Sequence, residues 1–387
     1  MYSKVSLRRR GIVIMPDRII YEIMHGECLT AQVDSQGRCR IWEPDFLPCN
    51  LYLEEAEDVE TLVNNVTNFW YWCATRILTL DRQYAKEILG SIGAAQAVTD
   101  RDRAQIALSY RCVSLTDIYW VRQQGEQVTF REVNLYDNHL DSALVDVALR
   151  GRQLTVQNRE LAADLSTNGC FPKAWRRTAQ GFELLKDGGR EAVERELLAS
   201  RICRCFQCRQ VLYEREIYEG EPVTVSRLMT SREYSIISME AFTIWATNHD
   251  VDLRDYILKL DAYQYYMMNL LDYLVGNTDR HWGNWGLLVD NASGQPLRLH
   301  DLMDWNRSFQ AYDTLEGGNC QTAFGLKMTQ REAALEAVRQ VGINQIAGID
   351  SKWFTGRERE YEMLLQRLGL LQEEWQRSAD QNAAGKG

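Results

Sequence analysis

Three oxygen-bearing side chains follow one another in a fixed order in the second half of this 387-residue chain. Asp279 comes first, Asn284 lies five positions later, and Asp304 follows after a further twenty. This order is typical of enzymes that transfer a phosphoryl group from a nucleotide, in which an aspartate orients the attacking hydroxyl and an asparagine and a second aspartate bind Mg²⁺. We therefore predict Asp279 as the catalytic base and Asn284 and Asp304 as metal ligands. His281 and Asn284 join Asp279 as candidate catalytic residues.

A lysine and a glutamate further upstream predict the part of the site that holds the nucleotide. Lys186 ends a predicted strand, and Glu191, Glu194 and Glu196 follow on a predicted helix. Kinases hold the α- and β-phosphates with a strand lysine that pairs with a helix glutamate. Glu196 is the preferred partner because it adjoins the apolar stripe of the helix, and Glu191 and Glu194 stay open as alternatives.

The glycine-rich loop that covers the phosphates in ordinary protein kinases is absent, since the chain contains no G-x-G-x-x-G motif. The turn formed by Ser166, Thr167, Asn168 and Gly169 is the substitute that we predict, because its backbone amides and hydroxyls can cradle phosphate. A plain hairpin turn is the alternative interpretation.

The elements around the motif must bring its parts together. Apolar residues at helical spacing predict a long buried helix over Leu253–Val275 that ends at Gly276, so the motif starts directly after it. Residues 287–289 and 297–299 predict a hairpin. Because Asn284 precedes the first strand and Asp304 follows the second, both ligands are expected at the same end of that hairpin.

The remaining chain predicts an α+β protein. Alternating apolar residues predict a small antiparallel sheet over 11–45 with a turn at 34–37, and apolar residues at helical spacing predict a helix over 59–89. A capped helix is predicted from 329 to 342. Further strands are predicted at 114–121, 128–133, 171–176, 181–186 and 223–229. Residues 380–387 are predicted as a frayed polar tail.

Length and composition limit the class of protein. A chain of this length exceeds what one hydrophobic core supports, so two or more lobes are expected. The formal net charge of −10 works against broad binding to nucleic acid or anionic lipid. Ten widely spread cysteines, with no export signal and no run of 18 or more apolar residues, favour a cytoplasmic protein. Together with the net charge, these features predict no direct contact with a membrane or with nucleic acid.

Residues 165–309 resemble the HipA-like serine/threonine kinases, a bacterial family that includes the toxin kinases of toxin–antitoxin pairs. The motifs that carry the resemblance are the segment 167–173, the strand that ends at Lys186, Glu196 on its helix, the segment 225–230, and the set of Asp279, Asn284 and Asp304.

The resemblance implies a two-lobed protein-kinase-like fold, with a small mixed α/β N-lobe and a mostly helical C-lobe. It places an extra N-terminal subdomain over residues 1–150, the N-lobe over 151–232 and the C-lobe over 233–387. It also implies ATP and Mg²⁺, a protein substrate with a serine or threonine acceptor, an antitoxin-like regulator, and autophosphorylation on Ser166 or Thr167. Ser226, Arg227 and Leu228 would form the nucleotide hinge.

Two alternatives stay open. Phosphoinositide lipid kinases share the order Asp279, Arg280, His281, so lipid is a rival acceptor, ranked below protein because no basic face or membrane-binding segment is visible. A catalytically inactive kinase fold that serves as a binding module is the other. The chain departs from the usual Asp-Phe-Gly at residues 304–306, and residues 1–150 carry no motif that we can assign.

Overall fold

The computed structural model describes residues 18–77, 99–138, 172–179, 181–310 and 312–384. The strands within these ranges are β1 (Ile20–His25), β2 (Cys28–Asp34), β3 (Cys39–Ile41), β4 (Tyr119–Gln123), β5 (Lys173–Thr178), β6 (Gly181–Lys186), β7 (Tyr213–Tyr218), β8 (Glu221–Arg227), β9 (Tyr234–Ser238), β10 (Gly286–Asp290) and β11 (Pro296–Leu299). The helices are α1 (Val59–Ala74), α2 (Asp100–Ser109), α3 (Phe130–Val133), α4 (Arg190–Cys203), α5 (Met239–Asn248), α6 (Leu253–Val275), α7 (Gln330–Val341) and α8 (Glu358–Ala384).

The first antiparallel sheet has the strand order β3-β2-β1-β4. We use the name N-terminal subdomain for the described residues 18–77 and 99–138, which contain this sheet with α1 and α2. Its predicted turn is confirmed: the Asp34 carboxylate accepts the backbone N–H groups of Gln36 and Arg38 at 2.8 and 3.0 Å. Gly37 lies so close to the first turn of α1 that an added Cβ would be 1.9 Å from the Leu62 carbonyl oxygen. The turn therefore also seats α1 against the sheet.

The second antiparallel sheet, with the order β5-β6-β8-β7, is shared between two layers. Ala174, Leu185, Val223 and Val225 on one face belong to the same hydrophobic core as the N-terminal subdomain. On the other side, α4 packs against β7 and β8. Alternate residues of a strand point to opposite faces of the sheet. Because Leu185 faces the N-terminal core, Lys186 points to the other face, on which α4 packs.

The third part is mostly helical and surrounds α6. The small sheet β11-β10-β9, together with α7 and α8, forms a second core around this helix. Gly276 ends α6 in the left-handed conformation with φ +60°, and a Cβ there would lie 2.4 Å from the Tyr312 ring. The predicted helix and its stop are confirmed, and the residues that follow start the candidate site.

Several local predictions need correction. Residues 128–133 form no strand; after β4, the single turn α3 is capped by Thr129 and Glu132. The strand predicted at 114–121 is Tyr119–Gln123. The predicted tail is helical to Ala384 because α8 continues through it. Within the described residues, no helix is long and apolar enough to cross a bilayer.

The α+β class is confirmed, with antiparallel sheets in every sheet that the described ranges contain. The proposed boundary near residue 150 lies outside the described residues. The one near 232 lies in the connection between β8 and β9. Both boundaries stay predictions.

Candidate functional site

Three charged side chains from distant parts of the chain meet in a buried group, which we call the lysine cluster. Lys186 ends β6, Glu196 faces it from α4, and Asp304 follows β11. The Lys186 Nζ donates to Glu196 Oε1 at 2.9 Å and to Asp304 Oδ1 at 2.5 Å. The Thr224 hydroxyl on β8 donates to the second oxygen of Glu196 at 2.7 Å. Lys186 and Glu196 are 5% and 1% exposed, whereas the Asp304 side chain is 15% exposed, so solvent reaches the cluster mainly at Asp304.

Charge pairing keeps Lys186 and Asp304 ionised. Burial alone would lower the pKa of Lys186, but attraction from Asp304 and Glu196 outweighs it and holds that pKa above the usual value. Burial likewise opposes ionisation of Asp304, yet Lys186 and Lys173 hold the pKa of Asp304 below its usual value. Asp304 is therefore a carboxylate, which is the form that binds a metal.

The backbone of Asp304 is held in an unusual conformation. Its φ is +63°, in the left-handed region that non-glycine residues rarely adopt and that costs on the order of 1 kcal/mol or more. The Asp304 N–H donates to the phenolic oxygen of Tyr213 on β7 at 3.0 Å. This hydrogen bond to β7 of the second sheet holds the Asp304 backbone in place, and the Asp304 carboxylate contacts Lys186.

Arg280 links α6 to both loops of the candidate site. It is 2% exposed, and its guanidinium makes two hydrogen bonds to the Asp272 carboxylate, at 2.9 and 3.0 Å. Its Nη1 also donates to the backbone carbonyl oxygens of Asn284, at 3.0 Å, and Met303. The guanidinium lies over the Trp305 ring, with its carbon 4.7 Å from the ring centroid. The segment that contains Asn284 and the segment that contains Asp304 are thus both hydrogen-bonded to the Arg280 guanidinium.

Asp279 and Asn284 lie in the same loop and contact each other. The Asn284 amide nitrogen donates to the Asp279 backbone carbonyl at 2.8 Å, which leaves the amide oxygen as the end that can bind a metal. The Asp279 carboxylate is partly exposed and lies 3.4 Å from Nε of Arg307. Asp279 is therefore placed at the accessible side of the loop, as a residue that meets an acceptor must be.

No protein-family model and no curated protein matches the sequence. Among solved structures, the chain is similar to HipA in the Shewanella oneidensis MR-1 complex of the toxin–antitoxin proteins HipA and HipB with operator DNA. The TM-score is 0.54 at 11% sequence identity, over 92% of this chain and 99% of that chain.

The chain has a HipA-like fold. The predicted resemblance is confirmed at the level of the fold. The Helicobacter pylori proinflammatory kinase CtkA is also similar, with a TM-score of 0.42 and 13% identity over 54% of this chain and 95% of that chain.

The other predicted site residues of the HipA-like fold differ in their placement. His281 is exposed, and its Nδ1 accepts the Gly283 N–H at 3.1 Å within its own loop, outside the lysine cluster. Glu191 and Glu194, the alternatives to Glu196, pair instead with Arg195 and Arg215 near the surface.

The predicted hinge lies where β8 leaves the second sheet. Ser226 is buried opposite Leu184, Arg227 is exposed, and the Leu228 N–H donates to the Phe182 carbonyl at 3.0 Å. A cavity of about 250 Å³, lined in part by Arg227, Leu228 and Phe182, opens beside it. The predicted phosphate loop, Ser166, Thr167, Asn168 and Gly169, lies outside the described residues.

Sequence reasoning missed Asp272 and the structural role of Arg280. A signal for Asp272 was present, because a carboxylate stands among Leu270, Leu271 and Leu274 on a helix predicted to be buried. Buried charges are paired in folded proteins, so this residue required a cationic partner. The identity of that partner could not be read from spacing alone.

Proposed function

We propose that this chain is an ATP- and Mg²⁺-dependent serine/threonine protein kinase. The observation that carries the proposal is the contact of Lys186 with both Glu196 and Asp304, since Asp304 lies 118 positions from Lys186 along the chain. A lysine held between a helix glutamate and a metal-binding aspartate is the arrangement that positions nucleotide phosphates in kinases. The HipA-like fold supports the same reaction class.

The donor set suits Mg²⁺. Asn284 and Asp304 offer an amide oxygen and a carboxylate oxygen, which are the hard ligands that this ion prefers. When bound, Mg²⁺ would neutralise charge on the phosphates during transfer. Lys186 would then exchange part of its pairing with Asp304 for contact with the α- and β-phosphates, while Glu196 keeps its ammonium group in place.

Asp279 has the role of orienting the acceptor. Its carboxylate would accept the proton of the serine or threonine hydroxyl as the new oxygen–phosphorus bond forms and ADP leaves. Arg307 must yield its contact with Asp279 when an acceptor enters, and a partly exposed ion pair of this kind costs little to open, about 1 kcal/mol or less.

Phosphate transfer tests the proposal directly. Purified protein, labelled ATP, Mg²⁺ and a generic protein acceptor should give labelled protein, and Asp279→Asn and Asp304→Asn should each reduce the rate at least about 100-fold. Asp290→Asn, which changes an aspartate at the far end of the same hairpin, is the matched control and should keep wild-type activity. Label retained in both site variants would contradict the assignment.

Two further assays separate the alternatives. Transfer to phosphoinositide vesicles but not to protein would favour a lipid kinase. A rise in melting temperature with ATP, without transfer to either acceptor, would favour an inactive binding module.

The proposal extends to partners. The similar HipA structure was solved with HipB and operator DNA, which supports an antitoxin-like regulator for this chain. We propose that the chain is cytoplasmic and does not bind nucleic acid by itself, in keeping with its net charge of −10. Retardation of DNA by the purified chain at physiological salt would contradict the proposal that the chain does not bind nucleic acid by itself.

Autophosphorylation at Ser166 or Thr167, and nucleotide contact at residues 166–169 and 226–228, belong to the same kinase proposal.

A further inference from the structure

The two predicted metal ligands, Asn284 and Asp304, lie on different segments of the chain. Some contact must hold these two segments at a fixed distance from each other. Asn284 precedes β10 and Asp304 follows β11, so the hairpin brings their backbones to the same end. The last hydrogen bond of the hairpin joins the His300 N–H to the Gly286 carbonyl oxygen at 2.9 Å, two residues after Asn284 and four residues before Asp304. Strand pairing alone therefore leaves the final approach of the ligands open.

Arg280 supplies the missing connection. One nitrogen of its guanidinium donates to the carbonyl of Asn284 and also to that of Met303, the residue directly before Asp304. The guanidinium is planar and rigid, so it fixes the distance between the groups that it bonds. Few other side chains can hold two carbonyls and a carboxylate at once, because Arg carries five donors in a fixed fork.

Asp272 fixes the guanidinium in turn. Both of its oxygens accept from Arg280, and the Asn277 amide donates to the same carboxylate at 3.0 Å. Asp272 is 4% exposed and lies in the stretch of α6 from residue 264 to residue 275, in which every residue is buried. The position of Arg280 is thus set by a rigid element rather than by the loop that contains it.

We propose that Asp272 and Arg280 are a positioning pair that sets the spacing of the two Mg²⁺ ligands, so that metal affinity is controlled from α6. The inference rests on the proposed function, because it assigns Asn284 and Asp304 to Mg²⁺. Mg²⁺ demands near-ideal octahedral geometry, and a small change in ligand spacing therefore weakens its binding strongly. In this proposal the pair acts through the backbone carbonyls of Asn284 and Met303, to which Arg280 donates, and not as a metal ligand.

The test compares nucleotide binding with and without Mg²⁺ in wild type, Arg280→Lys and Asp272→Asn. Lysine keeps the charge but lacks the fork, and asparagine keeps the shape but loses the charge. Calorimetry should show that ATP affinity without Mg²⁺ changes less than about twofold, since Lys186 is untouched. The Mg²⁺ concentration needed for half-maximal tightening of ATP binding should rise at least about tenfold.

A matched variant controls for general destabilisation. Arg76 and Asp117 form another bidentate and largely buried arginine–aspartate pair, at 2.7 and 3.1 Å, in the N-terminal subdomain. Arg76→Lys should lower the melting temperature by an amount similar to Arg280→Lys and leave the Mg²⁺ requirement unchanged. If one of the two pair variants does not fold, the other carries the comparison.

The outcomes are distinct. An unchanged Mg²⁺ requirement in a folded pair variant, with phosphate transfer intact in wild type, overturns the positioning role and leaves the kinase assignment standing. The same holds if Arg76→Lys raises the requirement equally. Wild-type protein that binds ATP and Mg²⁺ but transfers no phosphate, while the pair variants lose only the Mg²⁺ effect, supports the positioning role and refutes the kinase assignment.

Discussion

At the scale of single residues, the site depends on a buried carboxylate that has a partner for each oxygen. Glu196 accepts from Lys186 with one oxygen and from the Thr224 hydroxyl with the other. Leaving a buried carboxylate oxygen without a donor costs about 1 to 3 kcal/mol. Thr224→Val should therefore lower the free energy of unfolding by that amount and weaken ATP binding, because Glu196 then holds Lys186 less firmly.

Thr224→Ser is the control for this prediction. Serine keeps the hydroxyl and loses one methyl group, so ATP affinity should stay close to that of wild type, with a loss of stability of about 1 kcal/mol. Urea unfolding and calorimetric ATP titration of both variants provide the measurement. Equal ATP affinity in the valine and serine variants would show that the Thr224 hydroxyl does not support the cluster.

The residues of the site were predictable to different degrees for a physical reason. Lys186, Glu196 and Asp304 were predicted because their order along the chain matches the pattern of kinases and because each stands on or beside a predicted strand or helix. The strand and helix signals alone did not predict that Lys186 would contact Asp304. Asp272 and Arg280 are brought together by the tertiary fold. A local sequence pattern does not specify which cationic side chain will pair with a buried carboxylate. The roles of Ser166, Thr167, Asn168 and Gly169 stay predictions.

At the scale of elements, the end of α6 sets where the candidate catalytic loop begins. Gly276 adopts φ +60°, and the Tyr312 ring lies where a Cβ would project. Gly276→Ala should destabilise the protein by more than about 1 kcal/mol, through backbone strain and the clash. Gly369 in α8 offers a matched control, because its Cβ would meet nothing within 4 Å.

Gly369→Ala should stabilise the protein by about 0.4 to 1 kcal/mol, since alanine restricts the unfolded chain without strain in a helix. Thermal unfolding of both variants measures the contrast. A stable Gly276→Ala protein would mean that the loop can start elsewhere than at this left-handed residue.

Elements with local stop signals were predicted well, and those decided by their surroundings were not. The capping pair Thr329 and Glu332 started α7 as expected, and its hydrogen bonds are present. Thr129 and Glu132 form the same kind of pair, yet the alternating residues 128–133 suggested a strand. At these residues the capping hydrogen bonds form and the chain makes a helical turn, not a strand. The strand β7 was not predicted because an edge strand with charges on its exposed face has little apolar signal.

At the scale of the whole molecule, the second sheet joins the two cores. Leu185, Val223 and Val225 pack with the N-terminal subdomain, while the residue after Leu185, Lys186, belongs to the candidate site. The N-terminal subdomain also reaches β9, since the Thr116 carbonyl accepts the Ile236 N–H at 2.9 Å. The subdomain is therefore part of the scaffold that holds β6, the strand that carries Lys186.

Two buried histidines, one in each core region, give the molecule a dependence on pH. Burial lowers the pKa of His25 and of His300 to about 4, from an ordinary value of 6.5. The unfolded chain therefore binds more protons than the folded chain between pH 6.5 and 4, so stability is complete above pH 6.5 and falls as the pH drops through this window. Each histidine contributes up to roughly 3 kcal/mol of this loss.

His300→Asn should flatten the acid side of that profile. The His300 Nδ1–H donates to the Asp301 carbonyl at 2.8 Å, and the asparagine amide can replace this donor while gaining no proton. The variant will be less stable at pH 7 because it leaves unfilled volume, but its melting temperature should fall less between pH 6.5 and 4.5 than that of wild type. His249→Asn, at an exposed histidine, serves as the control and should follow the wild-type profile. A slope that is the same in all three proteins would show that protonation of His300 does not contribute to acid unfolding.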